Sequence, residues 1–553
     1  MKNNYKNIRT RFFLFFAICW LFPFASNAQV GTWTWMKGDS AHLGSPVYGT
    51  MGVSDSSTVP YSIYEAARWT DMNGRFWIFG GVNLNGNTGG LLWMYDPNTN
   101  NWIWMKGNGN YLPIYGTQGV PDPNNQPSSR GWGAASWTDT LGNLWLYGGE
   151  GYDMYGGQSA LADLWKYNIA TNEWTWMNGP LTSFEPGNYG VQGIPDVNNL
   201  PPSRDECIAN WIDDNGDLWL YGGFPSSAQY SMNDMWKYSP STNMWTWMSG
   251  STNTFTVLPN YGTLYVASPG NTPGGRGATG SWKDENGNFW LYGGYDDQGF
   301  DHEYGDMWKY DPAINQWAWM AGSTVSFANN SFTLQNIPGN GSPGARMELK
   351  SVWTDKCGKF WAYGGQTIAS FNWYCLNDMW MFDPTTNQFT WISGLNYPGA
   401  PGDYGSYQIP ALTNYPDGLG GGSPFTDVNG NFWMFGGTAY PDQWGSSNAM
   451  WKYERPFDSC FVNTGIYYEA ADQSFLVYPN PGHGTIYVQL SEKTEMQGLV
   501  IQLYDATGKL VETKTELQSR MIEIDPEAAG LYFVVLTNSQ GKILGSTKVL
   551  NTN

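Results

Sequence analysis

The sequence predicts an all-β chain, in which a six-bladed β-propeller closed by an N-terminal strand is followed by a small C-terminal β-sandwich. Three features predict it: a long internal repeat, an extra copy of one repeat segment at the N-terminus, and a change of composition near residue 472. The repeat is marked by tryptophans spaced 71 or 72 residues apart: Trp93, Trp165, Trp236, Trp308, Trp380 and Trp451. Five of them have a second Trp eleven residues later: Trp104, Trp176, Trp247, Trp319 and Trp391.

The last repeat lacks its eleven-residue partner, since position 462 is Val. The missing segment stands instead at the N-terminus, as Thr32-Trp33-Thr34-Trp35-Met36. The two ends are therefore expected to meet in one sheet, as in a propeller whose first strand completes its last blade. We assign residues 29–456 to this domain.

The pattern of each repeat predicts four short strands, with two short motifs at fixed positions between them. The first is an Asp followed three residues later by Gly, as in Asp139 and Gly142, which suits a type I turn better than a calcium loop because no distant bidentate Glu follows. The second is a Gly-Gly pair after the second strand, as in Gly148-Gly149, where no helix follows to form a phosphate site. The Trp-x-Trp strands alternate, so their indoles are expected to fill the gaps between sheets rather than to stack on sugars.

Together, the Gly-Gly pair, a Tyr or Trp about a dozen residues on, and a further Trp resemble the kelch repeat family, in six copies across residues 30 to 456. The resemblance implies a six-bladed propeller and says little about chemistry. The propeller also resembles that of galactose oxidase, whose copper site needs two His, two Tyr and a Cys. Only His42 and His302 fall in this domain, on distant repeats, so we expect neither copper oxidase activity nor any cofactor or metal.

Long loops connect each fourth strand to the next repeat, and we expect them to be ordered and to share one face. Five contain Tyr-Gly with a Pro twelve residues after the Tyr. Four place an Arg three residues after a Pro at the start of the innermost strand. The predicted ligand-binding residues are Arg130, Arg204, Arg276, Arg346, Tyr115, Tyr189 and Tyr261. An arc of guanidinium groups could bind an acidic ligand, while the alternative is that each Arg ties the blades together through Asp or carbonyl groups.

Charge and the N-terminus indicate the compartment. The net charge of −20 argues against nucleic-acid and anionic-membrane partners. Residues 1–28 read as a cleaved signal peptide, with a basic start, an apolar run and a small-residue cleavage site before Gln29, and no other segment could span a membrane. Four cysteines remain after cleavage: Cys207, Cys357, Cys375 and Cys460. They could form up to two disulfides, and a pairing of Cys357 with Cys375 is not favoured.

Residues 457–471 read as a linker, and residues 472–553 as the C-terminal β-sandwich. The run Val477-Tyr478-Pro479-Asn480-Pro481 and the final Lys548-Val549-Leu550 resemble the C-terminal sorting domain of the Bacteroidetes type IX secretion system. The resemblance implies passage through that machinery, removal of the domain, and release or attachment at the cell surface. An ordinary adhesive sandwich is the alternative.

The sequence thus predicts a secreted or cell-surface propeller that binds a glycan or a protein through its long-loop face, and that is not an enzyme. The alternative is a carbohydrate-active enzyme, an epimerase or hydrolase, using loop carboxylates such as Asp153, Asp205, Glu206, Asp301 or Glu303. A converging acid pair at the channel mouth would favour the enzyme, and a shallow aromatic surface would favour binding.

Overall fold

The fold was analysed in a computed structural model of the chain. The structure describes residues 31–40, 44–83, 86–87, 90–206, 208–225, 230–252, 255–296, 302–333, 335–339, 341–369, 372–439, 445–455, 475–478, 485–490, 496–505, 509–515, 517–526, 528–538 and 543–551. The predicted signal peptide and linker, His42, Asp301, Cys207 and Cys460 lie outside these ranges. The chain divides into two compact units, Met1–Cys460 and Phe461–Asn553.

The described residues of the first unit form six four-stranded antiparallel sheets, one for each sequence repeat, which confirms the all-β prediction. Sheet 1 contains Ala67–Thr70, Phe76–Phe79, Leu92–Asp96 and Asn101–Lys106; sheet 2 contains Ala135–Thr138, Leu144–Tyr147, Leu164–Asn168 and Glu173–Asn178; sheet 3 contains Ala209–Ile212, Leu218–Tyr221, Met235–Ser239 and Met244–Ser249. Sheet 4 contains Gly280–Lys283, Phe289–Tyr292, Asp306–Asp311 and Gln316–Gly322; sheet 5 contains Val352–Thr354, Phe360–Tyr363, Met379–Asp383 and Gln388–Ser393; sheet 6 contains Ser423–Thr426, Phe432–Phe435, Met450–Glu454 and Thr32–Lys37.

The N-terminal strand occupies the place that the sequence pattern left for it. Thr32–Lys37 pairs antiparallel with Met450–Glu454, with Trp35 opposite Trp451 and Trp33 opposite Tyr453. Of the residues described, those nearest to the N-terminus therefore complete sheet 6.

Neighbouring sheets contact one another in sequence order, and sheet 6 also contacts sheet 1. A shared apolar core fills each gap; between sheets 6 and 1 it includes Phe76 and Trp93 with Phe425 and Trp433. These buried aromatic side chains come from alternating strand positions, so each sheet presents one apolar face to each neighbour. Sheets that are apolar on both faces pack stably only between two others, which is the arrangement of propeller blades.

The Asp-x-x-Gly turn and the Gly-Gly pair of each repeat both have structural roles. Asp139 accepts hydrogen bonds from the backbone of its own turn and from the indole Nε1 of Trp145, at 2.8 Å, so the turn is tied to the core. The second glycine of each Gly-Gly pair donates its N–H to the next sheet, from Gly149 to Arg204 O and, between sheets 6 and 1, from Gly437 to Ile63 O, each at 2.9 Å. The first glycine of the pair is needed for a different reason. A Cβ on Gly222, the first glycine of the sheet 3 pair, would lie 2.3 Å from Arg276 O.

The long loops lie along the outer edges of the sheets. The loop before sheet 3 pairs with the fourth strand of that sheet: Gly193 N donates to Trp247 O at 2.8 Å, and Asn199 Nδ2 donates to Trp245 O at 3.0 Å. Equivalent asparagines serve three other loops: Asn125, Asn271 and Asn414. The ordered loops thereby satisfy strand edges that would otherwise be open to aggregation.

Short hairpins follow several of the Gly-Gly pairs. They comprise Val82–Asn83 with Gly86–Asn87, Glu150–Tyr152 with Gln158–Ala160 (joined by Arg130–Gly131), Gln366–Ala369 with Asn372–Cys375, and Thr438–Ala439 with Gly445–Ser446. These hairpins lie at the end of the sheets where the second strands finish and the long loops lead into the first strands. We call this the Gly-Gly end.

Cys357 is disulfide-bonded, and Cys375 is a buried thiol, not part of a disulfide, that donates to Thr438 O at 3.1 Å. These two cysteines are therefore not paired with each other. The described residues contain no apolar helix of membrane-spanning length.

The second unit contains two antiparallel sheets. One consists of Phe475–Tyr478, Ile486–Leu490 and Met521–Ile524; the other consists of Leu510–Lys514, Val500–Asp505, Gly530–Thr537 and Ile543–Asn551. Both contribute to a single apolar core that includes Ile486, Ile522, Leu503 and Val534. Two sheets around one core form the sandwich that the alternating sequence predicts.

Candidate functional site

The four arginines predicted to bind a ligand are buried and already paired. Each guanidinium group is bonded to an Asp at the start of the third strand of its own sheet. Arg204 donates to both carboxylate oxygens of Asp234, each at 2.8 Å, and to Gly222 O at 3.0 Å. The other three pairs are Arg130–Asp163, Arg276–Asp306 and Arg346–Asp378. All eight side chains are at most 1% exposed, so none presents its charge to solvent.

The three predicted tyrosines serve the same pairs. Tyr189 donates its hydroxyl to Asp234 at 2.8 Å, and Trp236 donates its indole N–H to the same carboxylate at 2.7 Å. Tyr115 and Tyr261 make the equivalent bonds to Asp163 and Asp306. Burial raises the pKa of the Asp163 carboxyl, but the charge of Arg130 and the hydrogen bonds from Arg130, Trp165 and Tyr115 together outweigh that effect and leave the pKa below its usual value. These contacts favour the alternative in which the arginines are structural.

The sequence carries a signal for this pairing within its own repeats. In sheets 1 and 6 the Arg position is Ile63 and Leu419, and the Asp position is Leu91 and Ala449. The two charges are thus present together in four repeats and absent together in two. A buried charge without a partner is strongly unfavourable, so joint presence and absence identifies the pair.

A different set of charged residues meets where the first strands of the six sheets converge. Glu65, Glu206 and Glu348 lie two to four residues before the first strands of sheets 1, 3 and 5, and one carboxylate oxygen of each lies within 4.8 Å of those of the other two. We call them the acid cluster. Glu65 is 2% exposed and Glu348 is 7% exposed, whereas Glu206 keeps more contact with solvent.

The local backbone aims these side chains inward. Glu65, Glu206 and Glu348 have φ of 54°, 63° and 52°, in the left-handed region that non-glycine residues rarely adopt. The equivalent positions of the other sheets share this conformation: Trp132, Ala278 and Gly421. Hydrogen bonds between sheets hold it, including Glu65 N to Gly421 O at 2.7 Å and Glu206 N to Trp132 O at 2.7 Å. Such strain persists only where the surroundings impose it, and it often marks a functional position.

The cluster is electrostatically unfavourable by itself. Burial, reinforced by repulsion from Glu348 and Glu206, raises the pKa of the Glu65 carboxyl well above its usual range, and attraction to Lys350 is too weak to reverse this. Burial and repulsion from Glu348 likewise raise the pKa of Glu206, although the Tyr295 hydroxyl hydrogen-bonds to it. In the part of the chain that the structure describes, both carboxylate oxygens of Glu65 are buried and accept no hydrogen bond from a donor outside the cluster.

The loop carboxylates considered for catalysis differ in environment. Asp153 accepts bonds from Gly157 N and Ser183 Oγ, and these hold the tip of the sheet 2 hairpin. Glu303 is buried, accepts a bond from Thr367 Oγ1 at 3.0 Å, and has a pKa raised by burial to about 8. Asp205 is also buried, and its pKa is raised by burial and then by Glu150. Of these acids, Glu206 belongs to the acid cluster.

An exposed aromatic surface also lies at the Gly-Gly end, on sheet 2. It consists of the exposed side chains of Tyr111, Leu112, Met154, Tyr155 and Phe184 together with the half-buried Tyr152, and we call it the tyrosine patch. Tyr155 is 77% exposed and Phe184 is 56% exposed.

Three segments build the patch and are fixed to one another. The rings of Tyr111 and Tyr152 are 5.7 Å apart, Met154 N donates to Leu181 O, and Phe184 N donates to Ala160 O, each at 3.0 Å. Sequence reasoning missed the patch because its residues come from two long loops and a hairpin that share no motif.

Comparison with known proteins identifies the C-terminal region. Residues 476–549 match the secretion system C-terminal sorting domain, so the chain carries a type IX secretion tail and is a secreted or cell-surface protein. Among solved structures, one titled "Structure of YjhT" matches 71% of this chain and 95% of that chain, with 12% sequence identity and a TM-score of 0.44. That similarity is too low to support a functional argument. A search of curated proteins finds no match.

Proposed function

We propose that this protein is a surface-displayed binding protein, built as a closed six-bladed propeller of the kelch type, and that its ligand docks on the tyrosine patch. The patch is the observation that carries the proposal. Monomeric soluble proteins rarely expose several large apolar side chains side by side except at a binding site. Tyrosine suits such a site because its ring packs against sugar or protein surfaces while its hydroxyl remains hydrated.

The sorting domain supports the same proposal from an independent direction. A protein delivered to the cell surface meets extracellular glycans and proteins first, and we propose that one of these is the ligand. We also propose that the signal peptide is cleaved after Ala28 and that the tail is removed on export, as the sorting-domain resemblance implies.

The buried acids support binding over glycoside hydrolysis. A hydrolase needs two carboxyl groups roughly 5 to 9.5 Å apart on either side of an accessible bond. Glu65 and Glu348 are almost fully buried, with carboxylate oxygens within 4.8 Å of each other, which leaves no space for a sugar ring between them. A carbohydrate-active enzyme remains the second candidate because Glu303 has a pKa of about 8, a value suited to a general acid.

A glycan array probed with the intact chain tests the proposal, followed by affinity measurement on the best glycan. Tyr155→Ala and Tyr111→Ala are expected to weaken binding at least about tenfold each, since central aromatic residues dominate interfaces. Leu141→Ala is the matched control, because this 83% exposed side chain lies in the turn at the opposite end of sheet 2.

Three results decide between the candidates. Unchanged affinity in both tyrosine variants would overturn the assignment of the patch. If no glycan on the array binds, the same three variants are screened against extracellular proteins, where we expect both tyrosine variants to lose affinity and Leu141→Ala to keep it. Release of new reducing ends from a bound glycan, abolished in Glu303→Gln, would establish the enzyme instead.

A further inference from the structure

The acid cluster poses a physical problem that the binding proposal does not address. Three carboxyl groups from three separate sheets converge, and two of them are almost fully buried. Buried carboxylates need a positive partner or a hydrogen-bond donor. Among the described residues, neither carboxylate oxygen of Glu65 accepts a hydrogen bond from a donor outside the acid cluster, although the side chain is only 2% exposed.

We propose that Glu65, Glu206 and Glu348 bind one Ca²⁺ ion at the point where the first strands of the six sheets converge. The inference does not rest on the proposed function, since it concerns different residues and a different ligand.

The chemistry of the donors favours a hard divalent cation. All three side chains offer carboxylate oxygens, and neither a sulfur nor an imidazole belongs to the group. Such donors suit Ca²⁺, Mg²⁺ or Mn²⁺ rather than Zn²⁺ or copper. Three oxygens arranged trigonally around one ion are about 4.0 to 4.5 Å apart for Ca²⁺, compared with about 3.5 to 3.6 Å for Mg²⁺. The three carboxylate oxygens all lie within 4.8 Å of one another, which allows them to reach one ion of the larger size.

The backbone explains how the sheets present these ligands. Each glutamate holds the same left-handed conformation two residues after the Arg position of its repeat (Ile63, Arg204 and Arg346), and sheets 1, 3 and 5 alternate with the other three sheets. The carboxylates thus approach the centre from three directions, and water can complete the coordination on the side of the more exposed Glu206. A bound cation would join sheets 1, 3 and 5 at the point where they otherwise repel one another.

The test uses the intact chain, freed of metal with EDTA and desalted, and then titrated with CaCl₂. Calcium uptake is measured by equilibrium dialysis, and thermal unfolding is followed by tryptophan fluorescence. The wild type is expected to bind Ca²⁺ with half-saturation below about 1 mM and to gain several degrees in Tm.

Glu65→Gln preserves the shape of the side chain and removes its charge. It is expected to bind one fewer Ca²⁺ per chain than the wild type. Its effect on Tm should reverse with the metal: equal or higher than the wild type in EDTA, because repulsion is relieved, and lower than the wild type in saturating Ca²⁺. A merely structural glutamate would not give that reversal.

Glu206→Gln, on the more exposed carboxylate, provides a second variant should Glu65→Gln fold poorly. Glu303→Gln is the matched control, since Glu303 is equally buried but outside the cluster, and it should bind as much Ca²⁺ as the wild type. The proposal is overturned if the wild type takes up no Ca²⁺ in this range, if it prefers Mg²⁺, or if both cluster variants retain full uptake.

Discussion

Two groups of buried charges lie at the same end of the propeller strands, and they differ in whether their charges are balanced. In sheets 2 to 5 each arginine is matched by an aspartate, whose remaining lone pairs accept bonds from a tyrosine or a tryptophan. In the acid cluster, three carboxyl groups face one another, and none of the described residues outside the cluster donates a hydrogen bond to Glu65. The comparison teaches that a saturated buried charge is part of the framework, whereas an unsaturated one is the observation on which the calcium proposal rests.

The largest effect is expected from breaking one balanced pair. Asp234→Ala leaves the Arg204 guanidinium buried and unpaired, which should lower the free energy of unfolding by about 3–5 kcal/mol. The double variant Arg204→Leu with Asp234→Ala copies the pair that sheet 6 carries naturally, Leu419 and Ala449, and should lose less. Chemical denaturation of both variants measures the difference, and equal losses would show that the charge balance is unimportant.

The next effect concerns Glu303, a buried acid that is intermediate between the two groups: Thr367 donates to one of its oxygens, and no described residue donates to the other. Its pKa is about 8 in the folded protein, against a usual value of 4.5, so the folded state holds the proton more tightly. Stability from this group is fully present below pH 4.5 and is lost as the pH rises through 8.

Glu303→Gln should therefore flatten the decline in stability between pH 5 and pH 8 by on the order of 2–4 kcal/mol. Denaturant titrations of the wild type and the variant at matched pH values give this difference directly. Parallel pH profiles would show that Glu303 titrates normally.

A smaller effect is expected from the glycine that allows neighbouring sheets to approach. Gly222 has φ of 70°, and a Cβ there would lie 2.3 Å from Arg276 O, so Gly222→Ala should cost about 2–3 kcal/mol. Gly193→Ala is the control, because φ is 77° but the surrounding space is open, and it should cost about 1 kcal/mol. Thermal unfolding separates the two variants, and similar Tm values would refute the close approach of the sheets.

The smallest effect tests the tyrosines that the sequence suggested as ligand contacts. Tyr189→Phe removes one hydrogen bond to Asp234 and should cost about 1 kcal/mol. Phe332 packs on Trp380 in sheet 5 as Tyr189 packs on Trp236 in sheet 3, so the ring alone is tolerated. A Tyr189→Phe variant that keeps its stability but loses ligand binding would show that Tyr189 contacts the ligand, as the sequence predicted.

The sequence could predict the repeating strands, the turns and the N-terminal strand of sheet 6, because these depend on local patterns that recur at a fixed spacing. It could also have revealed the Arg–Asp pairs, through their joint loss in the repeats of Ile63 and Leu419. The sequence suggested a ligand role for those arginines because the identity of a residue does not show whether its side chain is exposed or buried.

By itself the sequence determined the all-β architecture, the six repeats and the export signal in the tail, since hydrophobic alternation and short motifs act over a few residues. Only the tertiary structure decided which charges are balanced. Glu65, Glu206 and Glu348 come from repeats that are far apart in the chain, and the tyrosine patch combines two loops with a hairpin. Distances between such residues are set by how the sheets pack around their common centre, and no local pattern encodes them.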